Sequence, residues 1–171
     1  LHSAAERGVR VRLLLDDNNT APIEHMLALL DSHPNIEVRL FNPVPIRRAR
    51  AIWYFTDPKR LNRRMHNKLL TADNCATIVG GRNIGDEYFV AAPEGELLFA
   101  DLDVVAVGTI AIAVSNDFDR YWTSASSYPA NRLLRPIADG AAEKIKAAAR
   151  GVLNASAAST FEEAIRTSGF M

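Results

Sequence analysis

A chain of 171 residues with 48% hydrophobic and 23% charged side chains has the make-up of an ordinary globular domain, long enough to bury a core. Its 20 basic and 20 acidic residues cancel, so bulk charge selects no partner and only local clusters carry electrostatic information. The single cysteine, Cys75, excludes an intrachain disulfide framework and a cysteine-based zinc site, and no apolar run reaches the roughly 18–20 residues that cross a bilayer.

In chain order, residues 1–7 read as the tail of a helix stopped by Gly8. Residues 9–15 turn from alternating to wholly apolar, the pattern of a buried strand. The polar turn Asp16-Asp17-Asn18-Asn19-Thr20 is rich in N-capping residues. A helix is expected over residues 23–30, ended by His33-Pro34-Asn35, and a second strand over 36–41. This rhythm predicts parallel strands joined by crossover helices. A chain that opens on a helix tail also implies a domain incomplete at its N-terminus.

Residues 42–64 form a basic stretch broken by Pro43, Pro45 and Pro58. Two short strands are expected at 68–71 and 76–79, turning at Ala72-Asp73-Asn74-Cys75. Gly80 and Gly81 end the pair and allow close backbone approach to a ligand. A strand at 101–107 places Asp101 and Asp103 on one face, opposite Leu102 and Val104. A helix runs from about residue 110 to 122, with Phe118, Tyr121 and Trp122 at core spacing. Alanine-rich helices are expected near 139–152 and 160–166, and no internal repeat is present.

Chemistry concentrates in His66-x-Lys68-x-x-x-x-Asp73, followed by Gly80-Gly81-Arg82-Asn83. From composition, about 0.006 matches to the first pattern arise by chance, and adding Asn83 lowers that roughly fifteenfold. An imidazole beside an ammonium suits attack on a phosphodiester: the histidine supplies a nucleophilic nitrogen and Lys68 neutralises a non-bridging oxygen. Asn83 can donate its amide hydrogens to the same phosphate. Asp73 reads equally well as the residue that shapes the strand turn. His2, His25 and His33 lie in no motif and read as solvated or structural.

This combination resembles the phospholipase D superfamily. The runs from Arg63 to Lys68 and from Gly80 to Phe89, the Asp101–Val104 segment and Phe118-Asp119-Arg120-Tyr121-Trp122 look like its bacterial cardiolipin synthase branch. The resemblance covers roughly residues 9–135. It implies an α/β fold: a mixed, largely parallel sheet sandwiched by helices, forming one phospholipase D-like half. The expected division is residues 1–135 as that half and 136–171 as an Ala-rich helical extension or the start of a linker.

The resemblance also implies roles. His66 becomes a phosphohistidine, Lys68 and Asn83 hold the phosphate with Gly81 and Arg82 beside it, and Asp73 orders the motif. An acid from the later strand, Asp101 or Asp103 with Asp103 preferred, orients the imidazole. Gly81 departs from the pattern, since many members carry a hydroxyl there. No metal or other cofactor is expected.

A histidine nucleophile requires a second group to protonate the leaving oxygen, which members take from a second motif. This chain holds one copy, so its mate lies in a longer chain or in a homodimer partner. The expected function is half of a phosphatidyltransferase acting on a phospholipid headgroup phosphate, peripheral to the bacterial inner membrane on its cytoplasmic face, or cytoplasmic. The competing reading is a nuclease of the same superfamily that works as a homodimer on nucleic acid. The cluster Arg47, Arg48, Arg50, Lys59, Arg60, Arg63 and Arg64 around Trp53-Tyr54-Phe55 reads as an anionic-lipid surface, and it would equally suit a nucleic-acid backbone.

Overall fold

The computed structural model describes residues 1–47, 55, 60, 62–83, 101–138 and 140–147. The chain divides into two compact units, Leu1–His66 with Asn116–Ile145, and Asn67–Ser115 with Lys146–Met171.

In the first unit, helix α1 (His2–Glu6) leads through Gly8, left-handed at φ 90°, into strand β1 (Val11–Asp16). Two 3-10 turns, Asp17–Asn19 and Ala21–Ile23, precede helix α2 (Glu24–Asp31) and strand β2 (Ile36–Phe41). Because α2 carries the chain back along the sheet, β1 and β2 pair in parallel, from Val11 opposite Ile36 to Asp16 opposite Phe41. A short strand β6 (Ser127–Pro129) pairs antiparallel to β2. The strand order is thus β1-β2-β6.

The period-2 pattern of β2 buries Ile36, Val38 and Leu40 on one face. They pack with Leu27 of α2, Ala5, Ala130 and Leu134, and with Val11, Leu13 and Leu15 of β1 at the margin. On the opposite face lie residues 116–122, the second half of helix α3 (Thr109–Trp122). There the Arg39 guanidinium sits 4.5 Å from the Trp122 ring centroid and donates to the Trp122 carbonyl at 2.9 Å. Arg12 bonds Asp119 at 2.6 Å and covers the Phe118 ring at 5.0 Å. This sheet therefore has a helix on each face, and the expected core role of Phe118, Tyr121 and Trp122 fits: Trp122 is buried, Phe118 stacks on it at 5.5 Å, and Tyr121 meets Phe41 at 5.8 Å.

The second unit holds a separate sheet, β3 (Lys68–Ala72), β4 (Ala76–Gly80) and β5 (Asp103–Val107), in the order β3-β4-β5. All of its pairings are antiparallel. The fold is mixed α/β, but the sheet content is not largely parallel: among the described residues β1 with β2 is the one parallel pair. The cause is connection length. A three-residue turn between β3 and β4 cannot return the chain to the start of a parallel neighbour, which takes a crossover of a dozen or more residues.

Residues 141–147 are helical, inside the expected 139–152 segment, while its end and the 160–166 helix fall outside the described residues. Among those described, no helix is long and apolar enough to cross a membrane.

Candidate active site

The β3–β4 hairpin is made by its turn. Cys75 N–H donates to the Ala72 carbonyl at 2.9 Å, and the two residues between them, Asp73 and Asn74, have φ of 50° and 56°. Positive φ at both central positions matches the twist of the flanking strands, and Asp and Asn are the side chains that tolerate it best after glycine. The turn sets the register, so Ala72 faces Ala76 and Lys68 faces Gly80. Thr71 and the buried Thr77 share a hydroxyl hydrogen bond at 2.9 Å that locks this register from inside.

Asp73 is therefore exposed at the far end of the hairpin from Lys68. The two are five residue steps apart along the hairpin arm, about 17 Å at the usual rise. One phosphate cannot bridge that gap, and the turn accounts for an Asp at this position.

The other end of the sheet gathers the remaining motif residues. Gly80 pairs with Lys68 on one side and Asp103 on the other. Residues paired across strands project to the same face, so an ammonium and a carboxylate flank a position without a side chain. Their α-carbons lie about two strand spacings, roughly 10 Å, apart. A β-carbon at Gly80 would collide with the Asp103 carboxylate, and one at Gly81 would stand 2.5–2.6 Å from the Asp101 carboxylate oxygens. The two glycines had been expected to admit a ligand to the backbone. Here the space they leave is occupied by two acids instead.

Asp101 and Leu102 precede β5 and are not part of it. Asp101 Oδ1 accepts the Leu102 N–H at 2.8 Å, and its carbonyl accepts from Arg82 at 3.3 Å. Arg82 Nε lies 3.1 Å from Asp103 Oδ2. Arg82 thus ties the two acids to the end of β4, a structural use alongside its expected place beside the phosphate. Asn83, three residues past Gly80, is exposed. His66 is also exposed; it ends the first unit, two residues before β3 begins.

The basic cluster divides. Arg47 bonds Asp17 through both terminal nitrogens, at 3.1 and 2.9 Å, and Glu24 at 2.8 Å, with 13% of its side chain exposed. Burial works to raise the Asp17 carboxyl, but hydrogen bonds from Arg47, Thr20 and the Val44 N–H outweigh it and hold it below the ordinary carboxylate range. Arg60 donates to the Pro43 carbonyl at 2.8 Å, and Arg64 pairs with Asp16. These three arginines build the protein, so the structural reading prevails for them over the anion-surface reading. Arg63 is exposed, while Arg48, Arg50, Lys59, Trp53 and Tyr54 lie outside the described residues.

Sequence reasoning passed over Asp16, Asp17 and Asn42. Beyond near contacts with Asn18 and Thr20, their side chains bond residues 18 to 49 positions away, and no spacing rule links those. The polar turn after β1 was the one local sign.

Residues 1–122 match the family described as "Cardiolipin synthase, PLD-like domain". The chain belongs to this phospholipase D-like family. Among curated proteins it is 58% identical over 134 residues to "Cardiolipin synthase C" of Escherichia coli (strain K12), which covers 78% of this chain and 28% of that protein. It is 45% identical over 136 residues to an "Uncharacterized protein" of Helicobacter pylori (strain ATCC 700392 / 26695), covering 78% of this chain and 26% of that one. It is 31% identical over 126 residues to "Major cardiolipin synthase ClsA" of Bacillus subtilis (strain 168), covering 72% and 24%. The chain therefore spans about a quarter of the length of these relatives.

Proposed function

We propose that this chain supplies one half of a phosphatidyltransferase site of cardiolipin synthase type. The observation that carries the proposal is the row Lys68–Gly80–Asp103 at the end of a sheet, with Asn83 three residues past Gly80 in sequence, within a chain 58% identical over 134 residues to a cardiolipin synthase. In this reading the His66 nitrogen attacks the phosphorus of a phospholipid. A P–N bond forms, the P–O bond to the leaving alcohol breaks, and a proton from the second half neutralises the departing oxygen. An acceptor alcohol then attacks the phosphorus: a new P–O bond forms, the P–N bond breaks to restore the His66 imidazole, and the alcohol's proton returns to the second-half group that gave one up.

Lys68 and Asn83 stabilise charge on the non-bridging oxygens. Gly81 has no hydroxyl, so the phosphate hydrogen bond at this position is either absent or supplied by backbone. Asp103, and after it Asp101, is the acid assigned to fixing the His66 tautomer and offsetting its positive charge. Asp73 serves the hairpin turn. Residues 1–135 constitute the half-domain, 136–171 an extension or linker, and the second motif comes from the rest of the same chain or from a second copy.

A peripheral site on the cytoplasmic face of the inner membrane suits a lipid substrate. The 87% exposure of Phe55 within the basic stretch fits an aromatic anchor at the lipid surface. The internal use of Arg47, Arg60 and Arg64 leaves less charge for an anionic lipid surface and for a nucleic-acid backbone alike, so the basic stretch does not separate the two readings. Thin-layer or mass analysis of lipids from cells expressing the full-length protein tests the proposal. New cardiolipin-type lipid that disappears with His66→Ala supports it; unchanged lipids together with His66-dependent nuclease activity would replace it.

A further inference from the structure

The C-terminal ends of the two parallel strands both hold the segment that leads to His66. Asp16, the last residue of β1, accepts the Met65 backbone N–H through Oδ2 at 2.8 Å. The same carboxylate receives the Arg64 guanidinium, through Nε at 3.1 Å and through Nη2. Its Oδ1 also accepts the Asn18 N–H at 3.0 Å, so the turn after β1 fixes the acid itself. Beyond β2, Asn42 is left-handed at φ 50°, and its amide donates to the Arg60 and Arg63 carbonyls at 2.6 and 3.1 Å. Four backbone or side-chain groups within residues 60–65 are thus tied to strand ends that a buried core makes rigid.

Met65 is the residue immediately before His66, so its amide is one link from the proposed nucleophile. A carboxylate acceptor makes that bond charge-assisted, shorter and stronger than a neutral one. We infer that Asp16 is a positioning residue for His66: by clamping the Met65 amide and the Arg64 side chain to the end of β1, it presets where the imidazole is delivered. The inference rests on the reading of His66 as nucleophile. Nothing in the local sequence of Asp16 marks this role, because the residues it holds lie 48 and 49 positions further on. Proximity effects are steep: a misplacement of about 1 Å costs on the order of 100-fold in rate.

The test uses the full-length protein with Asp16→Ala and Asp16→Asn, assayed on phospholipid vesicles containing the acceptor alcohol. Amide exchange of the peptide spanning residue 65 is followed by mass spectrometry in the same samples. Asp16→Ala is expected to lower kcat by about tenfold or more with KM within about twofold, the split that lost positioning produces. It should also abolish slow exchange at Met65. Asp16→Asn keeps one acceptor oxygen and should fall between wild type and Asp16→Ala in both readouts. Wild-type kcat and wild-type exchange in Asp16→Ala would overturn the inference, as would a kcat loss that only tracks the folded fraction. If the full-length protein shows no turnover in any form, the His66 reading fails. Met65 exchange then still decides whether Asp16 clamps this segment.

Discussion

At the scale of single residues, the site is shaped as much by missing side chains as by those present. Gly80 and Gly81 leave room for Asp103 and Asp101, so Gly80→Ala should act through the acid it displaces. An expected cost of about 1–3 kcal/mol for overpacking should shrink in the Gly80→Ala/Asp103→Ala double variant, because the two positions share one space. Urea unfolding of the four proteins measures that coupling; simple additivity would mean the carboxylate is not what a methyl at residue 80 meets. The same logic separates Asp73 from the chemistry. Glycine accepts a φ of 50° freely, so Asp73→Gly should keep turnover within about threefold of wild type while Lys68→Ala loses about 100- to 1,000-fold. Steady-state kinetics on the full-length protein checks both, and a loss in Asp73→Gly equal to that of Lys68→Ala would make Asp73 a direct participant.

At the scale of elements, much of the layout was legible. β2 falls on its expected residues 36–41, α2 and α3 lie within a residue of expectation, and β3 and β4 each extend one residue further. Local pattern sufficed there, since each element is defined by its own apolar spacing and its own turn. β6 went unseen because three residues ending in Pro129 carry no strand signal without their partner β2. The expectation of a largely parallel sheet failed because β3, β4 and β5 form an antiparallel sheet of their own; the short turn recognised between β3 and β4 already required an antiparallel pair there. Asp17 and Arg47 were illegible as a pair, being 30 residues apart. Their burial makes them consequential: Arg47→Ala strands a carboxylate that is 1% exposed and should cost about 3–5 kcal/mol. The Asp17 carboxyl lies lower in the folded chain than in the unfolded one. Its stabilisation is therefore present above the unfolded value of about 3.9 and is lost as pH falls through the lower folded value. The stability gap between wild type and Asp17→Asn, large in urea at pH 7, should narrow steadily below pH 4. A gap independent of pH would mean the charge on Asp17 contributes nothing.

At the scale of the whole molecule, the chain carries one H-x-K-x-x-x-x-D motif and belongs to a family whose relatives here are about four times as long as the matched segment. In the proposed reading one motif supplies attack and phosphate binding, and protonation of the leaving oxygen requires another group. The full-length protein should therefore turn over phospholipid, while residues 1–171 alone should fold and remain essentially inactive. Robust turnover by the isolated chain, abolished by His66→Ala, would show that two copies of this half suffice. The central claim, that His66 becomes covalently bonded to the substrate phosphorus, has a direct measurement. Full-length protein is quenched during turnover of a phosphate-labelled phospholipid, digested at neutral or alkaline pH, and mapped by mass spectrometry. An acid-labile phosphatidyl adduct is expected on the His66 peptide, and none in His66→Ala. Turnover that persists in His66→Ala, or an adduct confined to any residue other than His66, would contradict that bond.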